Sequence, residues 1–122
     1  MKNKNFRESF KNAWAGIRNT FATERNFKTQ ILMGIVAMAV CIGFRVETPY
    51  LIAVVLSIFF VLSMELVNTA VEALTDFSCG EKIHPMAKVA KDAAAGAVLL
   101  ASFCAVVVGI LVAIHIVNGR CL

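Results

Sequence analysis

The sequence predicts an all-α integral membrane protein, with an N-terminal amphipathic surface helix followed by three transmembrane helices. Three observations carry this. Hydrophobic residues make up 59% of the 122, against roughly 45–50% in soluble domains, and the mean hydropathy is +0.76. The apolar residues are gathered in runs at 29–44, 48–64 and 93–119, of 16, 17 and 27 residues without Asp, Glu, Lys or Arg. The basic residues collect at one set of run ends. A chain this short could not cover so much apolar surface as a soluble bundle.

From Phe6 to Phe27, apolar Phe6, Phe10, Ala13, Trp14, Ile17, Phe21 and Ala22 recur at three- and four-residue steps, with Lys11, Arg18 and Arg25 on other faces. That pattern is an interfacial helix over about 6–27. Glu24, just before Arg25 and Lys28, is either a salt-bridge partner or an active-site ligand. The 28 residues before the first run lack the layout of a signal peptide, so they are expected to stay in the mature protein.

The first span is expected over about 29–45 and the second over 48–76. Both runs are short for a bilayer, but Lys28 and Arg45 can snorkel and the second run continues helically past Glu65. The connection Arg45 to Pro49 is so short that the two spans form an antiparallel hairpin. Gly80 should break the second helix, and Pro85 suits the first turn of a third, expected over 85–118. Ten basic residues flank the N-terminal side and the loop between spans two and three, against Arg45 and Arg120 elsewhere. The positive-inside rule therefore puts the N-terminus and that loop in the cytosol. The net charge of +4 reads as membrane anchoring and phosphate attraction, not nucleic-acid binding. Cys41, Cys79, Cys104 and Cys121 stand singly and suggest neither a disulfide framework nor zinc.

The second span carries the unusual chemistry. At about 100° per residue, Glu65, Asn68, Thr69, Glu72 and Asp76 share one stripe about 100° wide, and Leu66, Val67, Val71 and Leu74 lie opposite. An ionised carboxylate at mid-membrane costs roughly 2.5–3.5 kcal/mol on insertion scales, less at the edge. Several on one stripe call for a counter-charge, and their spacing suits a hard divalent cation such as Mg²⁺. Lys88, Lys91 and Asp92 open the third helix, ahead of small residues Ala93 to Ala97 that permit close helix approach. Lys91 is placed to neutralise a phosphate. No soluble nucleotide-binding loop, metalloprotease or serine-hydrolase motif is present. His115 reads as a packed or interfacial histidine and His84 as an incidental loop residue.

Met64-Glu65-Leu66-Val67-Asn68-Thr69-Ala70-Val71-Glu72, Ala90-Lys91-Asp92-Ala93-Ala94-Ala95-Gly96-Ala97-Val98 and Glu24-Arg25-Asn26-Phe27 together resemble the prokaryotic diacylglycerol kinase and undecaprenol kinase family. The resemblance runs over nearly the whole chain. It implies a homotrimer in the bacterial inner membrane, with its active site at the cytoplasmic face. It implies Glu65 as general base toward a lipid hydroxyl with Asn68 beside it, and Glu24 and Glu72 holding the Mg²⁺ of ATP. Lys91 and Asp92 would contact the nucleotide, with Asp76 at its edge. The loop of Glu81, Lys82 and His84 would cover ATP, and Arg7, out of register, stands for an N-terminal basic position. The stretches Glu24-Arg25-Asn26-Phe27 and His84-Pro85-Met86-Ala87-Lys88 look closer to the undecaprenol branch than to the diacylglycerol branch. A reading from another class is a proton-coupled exporter with Glu65 as carrier carboxylate, which has no use for Glu24, Glu72 and Lys91 together.

Overall fold

A computed structural model describes residues 4–80, 82 and 84–119. The chain is four helices in sequence: α1 (Phe6–Thr23), α2 (Arg25–Gly43), α3 (Thr48–Cys79) and α4 (Pro85–Val117). The last three are long and apolar enough to cross a membrane.

Asn5 caps α1, its Oδ1 accepting from the Glu8 N–H at 2.9 Å. The helix carries Phe6, Phe10, Trp14, Ile17 and Phe21 exposed along one stripe. It ends at Thr23, four residues before the periodicity does, because Glu24 alone is extended (φ −105°, ψ 112°). Neither Gly nor Pro lies between Gly16 and Gly34 to announce that corner. The last helical bond of α1 and contacts across the corner close it. The Glu24 N–H donates to the Thr20 carbonyl at 2.8 Å, Phe27 is buried at 2% exposure, and Lys28 Nζ sits 5.5 Å from the centre of the Phe21 ring. The helix expected from 29 therefore starts at Arg25, and its first turn belongs to the span helix.

At the far end of α2, the Arg45 N–H donates to the Ile42 carbonyl at 3.2 Å and the Val46 N–H to the Cys41 carbonyl at 3.1 Å. This Schellman closure requires a left-handed residue, and here Arg45 takes it at φ 53° where glycine is usual. Val46 and Cys41, which the motif brings together, are both buried and join Val54 and Val112 in the main apolar cluster. The connection delivers the chain to Pro49 in the first turn of α3.

α3 and α4 make the most extensive contact, α2 packs on α3, and α1 lies against the α2–α3 pair. Along α4, Ala94, Ala101 and His115 are buried at sevenfold spacing, with Val112 beside them. That is the seam of two helices crossing at a shallow angle. Small side chains fill its inner half and larger ones its outer half. Gly34 lets α2 approach α3 equally closely, since a Cβ there would stand 3.0 Å from Ile58 Cγ2. At the outer end, His115 is 4% exposed and stacks on Tyr50 with centroids 4.1 Å apart. Its Nε2 accepts from the Glu47 N–H at 3.4 Å, so it satisfies one donor at the start of α3 and is a packed histidine.

Gly80 ends α3 at φ 59°. His84 caps α4, its Nδ1 accepting from the Met86 N–H at 3.1 Å. With 32 residues, α3 is about 48 Å long, well over the hydrocarbon thickness of about 30 Å. Glu65, 17 residues from its start, lies about 25 Å along, less than one such thickness from the start of α3. Glu72 and Asp76 project beyond.

Candidate active site

Glu65 is buried at 5% exposure. The stripe it begins runs from buried Glu65 through half-buried Asn68, Thr69 and Glu72 to exposed Asp76, and four contacts divide it. Gln30 of α2 donates from Nε2 to Glu65 Oε2 at 3.2 Å. One turn on, Asn68 donates from Nδ2 to Glu72 Oε1 at 3.2 Å, and Thr69 returns its hydroxyl to the Glu65 carbonyl at 3.0 Å. At the end of the stripe, Lys91 Nζ of α4 pairs with Asp76 Oδ1 at 3.1 Å. The counter-charge expected for three acidic groups is therefore local: a lysine meets the exposed Asp76, while the buried Glu65 meets a neutral amide.

Both amides are held the same way. Each turns its NH₂ to a carboxylate, and in each the carbonyl oxygen, Gln30 Oε1 and Asn68 Oδ1, is buried with no donor. Flipping either amide would set oxygen against carboxylate oxygen, so the orientation is chemically fixed while the acids are ionised. A buried acceptor without a partner costs about 1–3 kcal/mol.

The other expected residues take no part in these contacts. Glu24 is half-buried at the α1–α2 corner, and Asp92 pairs with Lys88 one turn away on α4. Lys82 and His84 are exposed in the α3–α4 loop, with His84 already occupied as a cap. Arg7 stands in the first turn of α1, about 25 Å along the helix from Glu24. Glu81 lies outside the described residues. Gln30 was not singled out from the sequence. It is a neutral residue inside an apolar run, and its only signal was being a large amide among aliphatic neighbours.

Among the described residues no three of His, Cys, Asp and Glu are grouped to hold a metal ion unaided. Magnesium arriving with a nucleotide asks less, since phosphate oxygens and water complete its shell around one or two carboxylates. Glu72 and the unpartnered Asn68 Oδ1 are hard oxygen donors on one helix turn, and they fit such an ion.

Three apolar spans and an acidic site at the end of the second define a multi-pass membrane protein with polar chemistry at one bilayer edge. Residues 11–113 match the sequence pattern of prokaryotic diacylglycerol kinase. The chain is 42% identical over 101 residues to a diacylglycerol kinase of Synechocystis, covering 83% of this chain and 58% of that protein. It is 40% identical over 109 residues to the undecaprenol kinase of Bacillus subtilis, covering 88% and 86%. Against a diacylglycerol kinase of Escherichia coli the figures are 27% over 95 residues, covering 78% and 77%. The chain belongs to the prokaryotic diacylglycerol kinase family, a family of membrane lipid kinases.

Proposed function

We propose that this protein transfers the γ-phosphoryl group of ATP to the hydroxyl of a membrane lipid alcohol, with undecaprenol the preferred acceptor. The observation that carries the reading is Glu65: a carboxylate at 5% exposure, just inside the bilayer edge, with a neutral partner and no lysine on it. A base there reaches a hydroxyl at headgroup depth while the hydrocarbon stays in the membrane. The lipid O–H bond breaks with its proton going to Glu65, the new O–P bond forms, and the γ-phosphorus–oxygen bond breaks with its electron pair leaving on ADP.

Phosphoryl transfer asks the protein mainly for position and charge. Lys91, half-buried beside Asp76, supplies a compact cation toward the phosphates. Glu72 and Glu24 hold Mg²⁺, which when bound neutralises phosphate charge, and Asn68 keeps Glu72 in place. Asp76, Asp92 and the loop bearing Glu81, Lys82 and His84 border the nucleotide, with Arg7 the remaining basic candidate. The site lies at the cytoplasmic face of the bacterial inner membrane, α1 rests its exposed aromatic stripe on that surface, and the protein assembles as a homotrimer. A 13.2 kDa chain is too small to enclose ATP and lipid alone, which supports shared sites.

Undecaprenol is favoured by the stretches around Glu24 and His84, and by the Bacillus subtilis relative, matched over 86% of its length. Diacylglycerol is the second reading, supported by the name of the Synechocystis relative. Labelled ATP with each lipid in detergent tests both, read as kcat/KM. Glu65→Gln should lower kcat at least about 100-fold, and a variant with full activity refutes the assigned base. Substrate flux driven by a proton gradient without ATP would favour an exporter instead.

A further inference from the structure

Gln30 holds more of the site than its neutrality suggests. It is the one side chain of α2 hydrogen-bonded to the buried Glu65. It also lies at the inner end of a groove of about 470 Å³ between α2, α3 and α4, walled by Gly34, Ala37, Ile58, Val61 and Val106. Among the described residues nothing donates to its buried Oε1. The groove also carries the hydroxyls of Ser57 and Ser102, and neither donates to that oxygen, Ser57 bonding the Val54 carbonyl instead; Glu65 fixes which way the amide faces. The missing partner is therefore an O–H or N–H that arrives with a ligand, within reach of the same carboxylate.

We propose that Gln30 is a further member of the acceptor site: its NH₂ orients Glu65, and its carbonyl oxygen accepts from the hydroxyl of the lipid alcohol before that proton passes to Glu65. This rests on the kinase reading. The lipid oxygen is then held between amide and carboxylate with its hydrogen shared by their oxygens and its lone pair free for phosphorus. When the O–P bond forms, the proton moves wholly to Glu65, and the amide is unchanged at the end of the cycle. A lone carboxylate would leave the hydroxyl free to turn its hydrogen, and its oxygen, elsewhere.

The test uses the full chain in detergent with Gln30→Met, which keeps length and removes both polar atoms, and Gln30→Asn, which keeps the amide. Transfer to undecaprenol and diacylglycerol is followed with kcat and both KM values. The infrared carboxylate band of Glu65 is isolated by subtracting the spectrum of Glu65→Gln. Gln30→Met should lose about 10–100-fold in kcat with KM for ATP unchanged, Gln30→Asn should recover part of it, and the Glu65 band should shift in Gln30→Met. Wild-type kcat in Gln30→Met overturns the proposal, as does a loss carried by KM for ATP. If the wild-type protein phosphorylates neither lipid, the kinase reading falls and the band decides the contact: an unshifted band overturns the Gln30–Glu65 link, and a shifted one upholds it.

Discussion

Replacing Gly34 by alanine should weaken catalysis from a position with no polar side chain. A Cβ at Gly34 would stand 3.0 Å from Ile58 Cγ2, where ordinary carbon contacts are about 3.5–4.0 Å. The Cγ2 atom belongs to the β-branched fork of Ile58, which is stiff in a helix, so the α2–α3 contact must give by a few tenths of an ångström. Gln30 is one turn away on the same face of α2, and its 3.2 Å bond to Glu65 would lengthen toward about 3.5 Å, the limit of a hydrogen bond. Overpacking of this size costs about 1–3 kcal/mol, against which alanine returns about 0.8–1 kcal/mol of helix propensity. The fold survives with a small loss. Misplacing a base by about 1 Å costs up to about 100-fold in kcat, so this smaller shift should cost several-fold. Lipid phosphorylation and thermal unfolding in the same detergent separate the two effects. Ile58→Ala removes the obstructing methyl, so Gly34→Ala with Ile58→Ala should recover kcat relative to Gly34→Ala alone. Full activity in Gly34→Ala, or no recovery in the double variant, would refute the argument that the α2–α3 spacing sets the base.

Two further variants probe the ends of the bundle. Asp76→Asn breaks a partly exposed ion pair with Lys91, so stability should fall by less than about 1 kcal/mol. The freed lysine should lower KM for ATP, because carboxylate and phosphate compete for it; a several-fold rise would instead mean that Asp76 touches the nucleotide. His115→Phe keeps an aromatic ring against Tyr50 but leaves the Glu47 N–H without its acceptor. Unfolding should become easier by about 1 kcal/mol with kcat unchanged, since Lys91 lies 24 residues, about 36 Å, along α4. Equal loss of kcat would show coupling between the two membrane faces.

Much of this was legible in one dimension. Apolar runs report which solvent a segment prefers, so the three span helices and the hairpin at Arg45–Pro49 follow from charge placement alone. Gly80 and Pro85 act through backbone geometry that needs no neighbour, and both stand where they were read. The stripe Glu65, Asn68, Glu72 and Asp76 follows from helical period, and the family from the motifs built on it.

Distances between helices decided the rest. The chain turns at Glu24 without a local breaker because buried Phe27 and the Phe21–Lys28 contact hold the corner. Lys91 finds Asp76 across 15 residues, and Gln30 finds Glu65 across 35. Glycine at position 34 leaves no trace in periodicity, yet it sets how near α2 comes to α3. Sequence placed the acidic stripe on one face of a membrane helix. Only packing turned that face toward a neutral amide at Glu65 and a lysine at Asp76, because the energy of a buried charge depends on what lies within a few ångströms across the helix interface, and that distance is not written along either helix.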